Sequence, residues 1–264
     1  MKRYIPFLKS EPMVAVVRLQ GAITNSGRGL DDVSLAPLLE KAFTKGKPKA
    51  VALQINCPGG SPTQSSLIAA RIQRLSQEND VPVIAFVEDV AASGGYWLAC
   101  AADEIYADET SMTGSIGVIT AGFGLDKVIN QHGIERRVHT AGKSKSMLDP
   151  FRPEKDEDIT RLKGWLEELH EIFIAYVKSR RGDKLSDNPD LFTGEVFFGK
   201  KAIAEGLVDG IGHLVPMMKS RFGDKVTFRK YSEKKTLLSR FGMSVMQDAI
   251  HTVEDRAAFA RFGL

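Results

Sequence analysis

The chain has 264 residues, enough for one large α/β domain or two small ones with a sizeable core. Lys and Arg number 36 against 33 Asp and Glu, a net charge of +3 with no local basic cluster, which gives no argument for a nucleic-acid partner. The two cysteines, Cys57 and Cys100, lack metal-ligand spacing, so neither a zinc site nor a disulfide framework is suggested and both read as free thiols.

Residues 1–12 begin with basic residues, but the short apolar part contains Pro6 and falls far short of the core of an export signal. No run of ~18 apolar residues occurs anywhere, so the expectation is a chain with neither signal peptide nor membrane-spanning helix. Residues 13–19 read as a strand ended by Gly21, and 33–43 as a helix with Leu35, Leu38, Leu39 and Phe43 on one face. A second strand at 50–55 runs into Asn56-Cys-Pro-Gly-Gly-Ser-Pro62, after which 64–75 resumes helical spacing. A nearly continuous apolar run at 81–87 reads as a strand buried on both faces. It leads through a small-residue turn carrying Ser93 into a helix that begins near Tyr96. Short strands are expected at 104–106, 111–112, 116–119 and 136–140, with a helix at 125–131 between the last two. The longest helical candidate is 155–181, with Ile159, Leu162, Leu166, Leu169, Phe173, Tyr176 and Val177 on one face. Residues 182–189 read as a linker, and 244–262 as a further amphipathic helix. Alternating strands and helices predict parallel strands with crossover connections.

Two features carry chemistry. Ser93, at a strand-to-helix turn of small residues, sits where a nucleophile would be exposed, although a serine there is also an ordinary helix cap. Gly59 and Gly60 allow backbone N–H groups to approach a ligand as an oxyanion site requires, and the same residues would serve a tight turn or a phosphate nest. Neither a P-loop nor a dinucleotide fingerprint is present. None of His132, His139, His170, His213 and His251 lies in a glycine-rich or small-residue setting. Lys145, two residues after Lys143, is a better candidate base, but a lysine acts so at neutral pH only where its surroundings favour the uncharged amine. On its own spacing it reads rather as a solvated loop lysine.

Five segments in order resemble the signal peptide peptidase A family of serine peptidases: Asn56-Cys-Pro-Gly-Gly-Ser61, Val90-Ala-Ala-Ser-Gly-Gly-Tyr96, Met112-Thr-Gly-Ser-Ile-Gly-Val118, Lys143-Ser-Lys-Ser-Met-Leu-Asp-Pro150, and Thr193-Gly-Glu-Val-Phe-Phe-Gly199 followed by Gly206-Leu-Val-Asp209. The resemblance implies a Clp protease/crotonase-like α/β fold, a spiral of ββα units, to which the helical spacing at 244–262 adds a C-terminal helical segment. Its peptidase domain would span 13–215, with 216–264 packed on it or at a subunit interface. It further implies Ser93 as nucleophile, Lys145 as general base, Ser115 as the hydroxyl orienting the lysine, and Gly60 and Gly94 as oxyanion donors, with no metal or cofactor. Cys57 stands where serine is more usual, and Ser144 where an aromatic residue is commoner. The implied substrates are extended apolar peptides such as cleaved signal peptides or unfolded segments. The implied assembly is a ring- or dome-shaped homo-oligomer, commonly an octamer, with each dyad shared between neighbours. Its expected location is cytoplasmic or peripheral at the inner membrane. A crotonase-type acyl-CoA enzyme and a non-catalytic assembly protein of the same fold are the alternatives.

Overall fold

A computed structural model describes residues 11–25, 29–142, 144–232 and 258–264. In chain order its elements are β1 (Met13–Gln20), α1 (Asp32–Thr44), β2 (Ala50–Cys57), α2 (Pro62–Asn79), β3 (Val83–Ala92), α3 (Gly94–Ala99), β4 (Glu104–Ala107), β5 (Met112–Gly114), α4 (Asp126–Gln131), α5 (Asp156–Arg181), β6 (Val196–Phe198), α6 (Gly199–Ala204), β7 (Gly210–Ile211), α7 (Leu214–Phe222) and β8 (Thr227–Tyr231). The eight strands form one sheet in the order β6-β5-β3-β2-β1-β8, with β4 joining β3 to β7. All pairs are parallel except β5 with β6.

The central strands are apolar on both faces because both are covered. Ala15, Val17 and Leu19 of β1, Val51, Leu53 and Ile55 of β2, and Val83 and Ala85 of β3 belong to the main core with Leu39, Ile68, Ile72 and Tyr96 of the helices. The alternate residues Val14, Val16, Ala50, Ala52, Ile84 and Phe86 pack with Met218 of α7 on the other face. Local chemistry fixes the helix starts. Asp31 accepts the Ser34 N–H at 2.9 Å ahead of α1, and Ser61 caps α2, whose first residue, Pro62, has no N–H to satisfy.

The feature that positions the site is a bend in β3. Ile55 pairs with Val87, but Cys57 pairs with Ala91, so β3 carries two extra residues there. Such an insertion bends the strand and re-aims its remaining residues. Before the bend, Ile84 to Val87 pair with β4; after it, Val90 to Ala92 pair with β5. The buried Ser111 hydroxyl reaches the Glu88 carbonyl, which the bend takes out of the ladder.

Three sequence expectations differ from the structure. Among the described residues, 116–119 and 136–140 pair with no strand, because the chain leaves the sheet after β5 and meets no further edge there. Residues 182–189 are no linker: two short 3₁₀ turns fall there, and Ser186 and Asn188 bond to the buried Glu205. Of the face expected on α5, only Phe173 and Val177 are buried, together with Arg181. The amphipathic helix expected at 244–262 lies, up to residue 257, outside the described residues; 258–260 are helical.

Candidate active site

Ser93 sits between β3 and α3 at φ 52° and ψ −123°. A residue with a Cβ is strained there, by ~1–3 kcal/mol, and persists only where its surroundings hold it. Here they do so on both sides. The Ser93 N–H donates to Gly114 O at 2.9 Å, and the Ser93 carbonyl accepts from Trp97 N–H at 3.0 Å. The side chain makes no cap bond to α3 and is half-buried, so the reading of Ser93 as a mere helix cap gives way.

The glycine loop after β2 closes on this turn. Ile23 N–H donates to Gly59 O at 2.8 Å and Ser61 N–H to Ile23 O at 2.9 Å, which clamps Gly60 between them. A Cβ on Gly60, at φ 143°, would lie 2.0 Å from Ile23 O. A Cβ on Gly59 would lie 2.9 Å from Gly94 N, and one on Gly94 would lie 3.3 Å from Gly60 N and 2.5 Å from Ser65 Oγ. The amides of Gly60 and Gly94 therefore stand side by side next to Ser93. Neither donates a hydrogen bond among the described residues. Two adjacent amides with no acceptor among the described residues, beside a hydroxyl, are the kind of arrangement that can stabilise a developing oxygen anion.

These groups line a cavity of about 310 Å³ whose other walls are apolar apart from Arg261, among them Trp97, Val118, Ile119, Leu169 and Phe173. Trp97 stacks with Phe173 and with Tyr176, at ring-centroid distances of 4.8 and 4.7 Å. The guanidinium of Arg180 holds the other end of α3, donating to Cys100 O at 2.8 Å and Ala102 O at 3.1 Å. Burial pushes the Cys100 thiol up to about 12, so at neutral pH it supplies no thiolate to compete as nucleophile.

Ser115 follows β5 at φ 49°, half-buried, its N–H on Glu195 O at 2.7 Å. Gly114, the acceptor of the Ser93 N–H, is its neighbour in the chain. Lys145 stands apart from this group: it is exposed, does not line the cavity, and its backbone N–H bonds Gly142 O at 3.2 Å. The structure thus brings together Ser93, Gly60 and Gly94, sets Ser115 just past the adjoining strand β5, and leaves Lys145 on a loop outside the cavity wall. That loop belongs to an arm between β5 and the middle of α5. No residue of α4 is buried, and Ile119, Phe123, Val128, Ile134, Trp165 and Ile172 are about half to more than four-fifths exposed.

Of the described histidines, His170 contacts Ile116 O at 3.0 Å and His213 pairs with Asp108 at 2.9 Å. His251 lies outside the described residues. Asp209, in the last of the five sequence segments, proves structural: it receives Arg181 at 2.9 and 3.1 Å, Lys184 at 2.6 Å and the Ile105 N–H at 2.7 Å. Sequence reasoning did not single out Ile23, Trp97, Arg180 or Arg261, the last being a further residue on the cavity wall. The only hint of Ile23 was an apolar residue just after the strand-ending Gly21.

The model of peptidase family S49 matches residues 76–221, more than half of the chain. A Na(+)/H(+) antiporter NhaA from Brucella melitensis is 46% identical over 286 aligned positions, covering 100% of this chain and 39% of that protein. The chloroplastic serine protease SPPA of Arabidopsis thaliana is 31% identical over 247, covering 88% of this chain and 36% of that one. The chain therefore spans well under half the length of these relatives. No helix of the described residues is long and apolar enough to cross a membrane. Among solved structures, a lysine-to-alanine mutant of a membrane-bound stomatin-specific protease, in complex with a substrate peptide, aligns with 94% of this chain and 100% of its own at a TM-score of 0.50 and 14% identity. The parallel-rich sheet and this likeness give the fold as Clp protease/crotonase-like. By its family match, the chain belongs to peptidase family S49.

Proposed function

We propose that the protein is a serine endopeptidase that cleaves extended apolar peptides with a Ser93–Lys145 dyad. The observation that carries the reading is the strained, uncapped Ser93 beside the two free amides of Gly60 and Gly94. Ser93 Oγ would attack the peptide carbonyl carbon while its proton passes to the uncharged Nζ of Lys145, and the carbonyl electron pair would move onto the oxygen held by the two amides. Collapse breaks the C–N bond, and the lysine's proton goes to the leaving amine. Water, deprotonated by the same lysine, then hydrolyses the ester. Ser115 orients the amine. The apolar cavity walls and the peptide ligand of the structural relative favour peptides over acyl-CoA.

The lysine arrives from a neighbouring copy of the chain. Support for this lies in the arm, which carries Lys145 and exposes a row of large apolar side chains that a monomer would leave in water. Assembly as a ring or dome would cover that surface and bring Lys145 to the Ser93 of the next subunit. For the Brucella antiporter, we read the shared 39% as a peptidase unit, since the aligned chain includes the S49 match.

The test is labelling by a serine-directed acylating probe. Mass spectrometry should locate the adduct on Ser93, and Lys145→Ala should abolish it. An adduct elsewhere, or undiminished labelling of Lys145→Ala, would sink the dyad.

A further inference from the structure

Ala258 and Arg261 form part of the wall of the cavity at Ser93, although they lie far from it in sequence. The segment 258–264 is anchored by Phe259 and Phe262, which pack on the buried patch of Val90, Ala92 and Met112 with Val196. Val90, Ala92 and Met112 belong to β3 and β5, the strands that end at Ser93 and just before Ser115, so the segment is fastened to the elements that carry the site. Arg261 is the one charged side chain on the cavity wall among the described residues. It is exposed, has no carboxylate partner among them, and lies against the ring of its neighbour Phe262, 5.9 Å from the centroid.

We infer that Arg261 is a specificity-determining residue that selects peptides bearing a carboxylate close to the scissile bond. This rests on the peptidase reading above. A guanidinium carried by a residue of an otherwise apolar cleft wall has no counter-charge among the described residues, and a substrate carboxylate would supply one through a bidentate pair. Because the guanidinium remains partly hydrated, the preference should be moderate, about 3- to 10-fold. The carboxylate has two sources: an acidic side chain, or the C-terminus of a peptide already cut once.

The experiment uses the full chain and matched fluorogenic apolar peptides that carry Glu, Gln or Lys at successive positions flanking the cleaved bond, each made as the C-terminal acid and amide. At one or more positions Glu should exceed Gln and Gln exceed Lys in kcat/KM, chiefly through KM, and the gap should shrink in high salt. Arg261→Glu should reverse that order and Arg261→Lys should keep it in weakened form. A gain confined to free acids would assign the carboxylate to the peptide terminus, and one confined to Glu to a side chain. Affinities of the same peptides for the Ser93→Ala protein, read by anisotropy, should follow the same order without turnover. Cleavage with a charge preference that Arg261→Glu leaves unmoved overturns the role of Arg261 and leaves the peptidase intact. A folded, assembled protein that cuts none of the peptides and takes no label on Ser93 removes the peptidase reading, and this inference with it.

Discussion

Ser93 donates its backbone N–H to Gly114 O across 2.9 Å, which ties the turn bearing the hydroxyl to the residue just before Ser115. Both serines hold left-handed φ values, 52° and 49°, at the ends of paired strands. The strain at Ser93 makes a prediction that contacts alone would not. Ser93→Ala should remove activity and change stability by less than about 1 kcal/mol, since the lost hydroxyl has no partner among the described residues. Ser93→Gly should be equally inactive but more stable than Ser93→Ala by about 1 kcal/mol, because glycine reaches this conformation freely. Urea unfolding of the two variants checks the order, and an alanine variant as stable as the glycine variant would mean that the turn is not strained.

Gly60 is a test of geometry rather than chemistry. An added Cβ would meet Ile23 O at 2.0 Å, a contact that only a backbone shift can relieve. Gly60→Ala should therefore cost about 2 kcal/mol or more and, if the Gly60 amide is an oxyanion donor as proposed, lower peptide hydrolysis at least tenfold by displacing that amide. Retained activity in a folded Gly60→Ala protein would exclude this amide as a donor.

Much of this was legible in the chain itself, for a physical reason. The central strands are buried on both faces, and continuous apolar runs such as 50–55 announce that; helix spacing at 33–43 and 64–75 did the same. The grouping of Ser93 with the glycine loop in the candidate site was legible because they lie within short segments whose small residues are demanded by close backbone approach. What escaped depends on contacts across the chain. The bend in β3 shows only in its register against β2, and Ile23 reaches the glycine loop, and Arg261 the cavity wall, from segments with no motif. The strands expected at 116–119 and 136–140 had suitable residues but no partner edge among the described residues, and propensity without a partner does not make a sheet.

The Arg181–Asp209 pair offers a pH test. Their side chains are 2% and 15% exposed. Burial alone would raise the Asp209 pKa, but hydrogen bonds from Arg181, Lys184 and the Ile105 N–H overcome it and hold the carboxyl below the ordinary 3.8. A lowered folded pKa means that the stabilisation is complete above the unfolded value and is lost as pH falls through the folded one. Asp209→Asn should cost about 3 kcal/mol at pH 7, where Arg181 is left without its counter-charge. The gap from the unsubstituted protein should hold down to about pH 4 and narrow below it. A gap that widens in acid would contradict the pairing.

The separation of Lys145 from Ser93 leads to the prediction that distinguishes a shared dyad from an internal one. Lys145 is exposed on an arm with no buried residue in α4, while Ser93 lies at the end of the central sheet. If neighbouring copies supply serine and lysine, Ser93→Ala and Lys145→Ala should each be inactive alone, with activity fallen by about a thousandfold or more. Mixed under conditions that exchange subunits, they should regain activity, because some junctions then join an intact Ser93 to an intact Lys145. With random equal mixing, about a quarter of junctions pair the two intact residues, which sets the expected recovery for a site that needs one residue from each side. Lys145→Arg should be equally inactive alone, since a guanidinium stays protonated and cannot take the serine's proton, and Ser93→Ala subunits should rescue it to the same extent. Ser93→Ala mixed with the double variant Ser93→Ala/Lys145→Ala should recover nothing, because no junction then holds a serine. Native mass spectrometry of each mixture verifies that both variants share one particle. Mixed particles of Ser93→Ala and Lys145→Ala without activity would place both groups of each dyad in a single chain, and would require the arm to fold back toward β3.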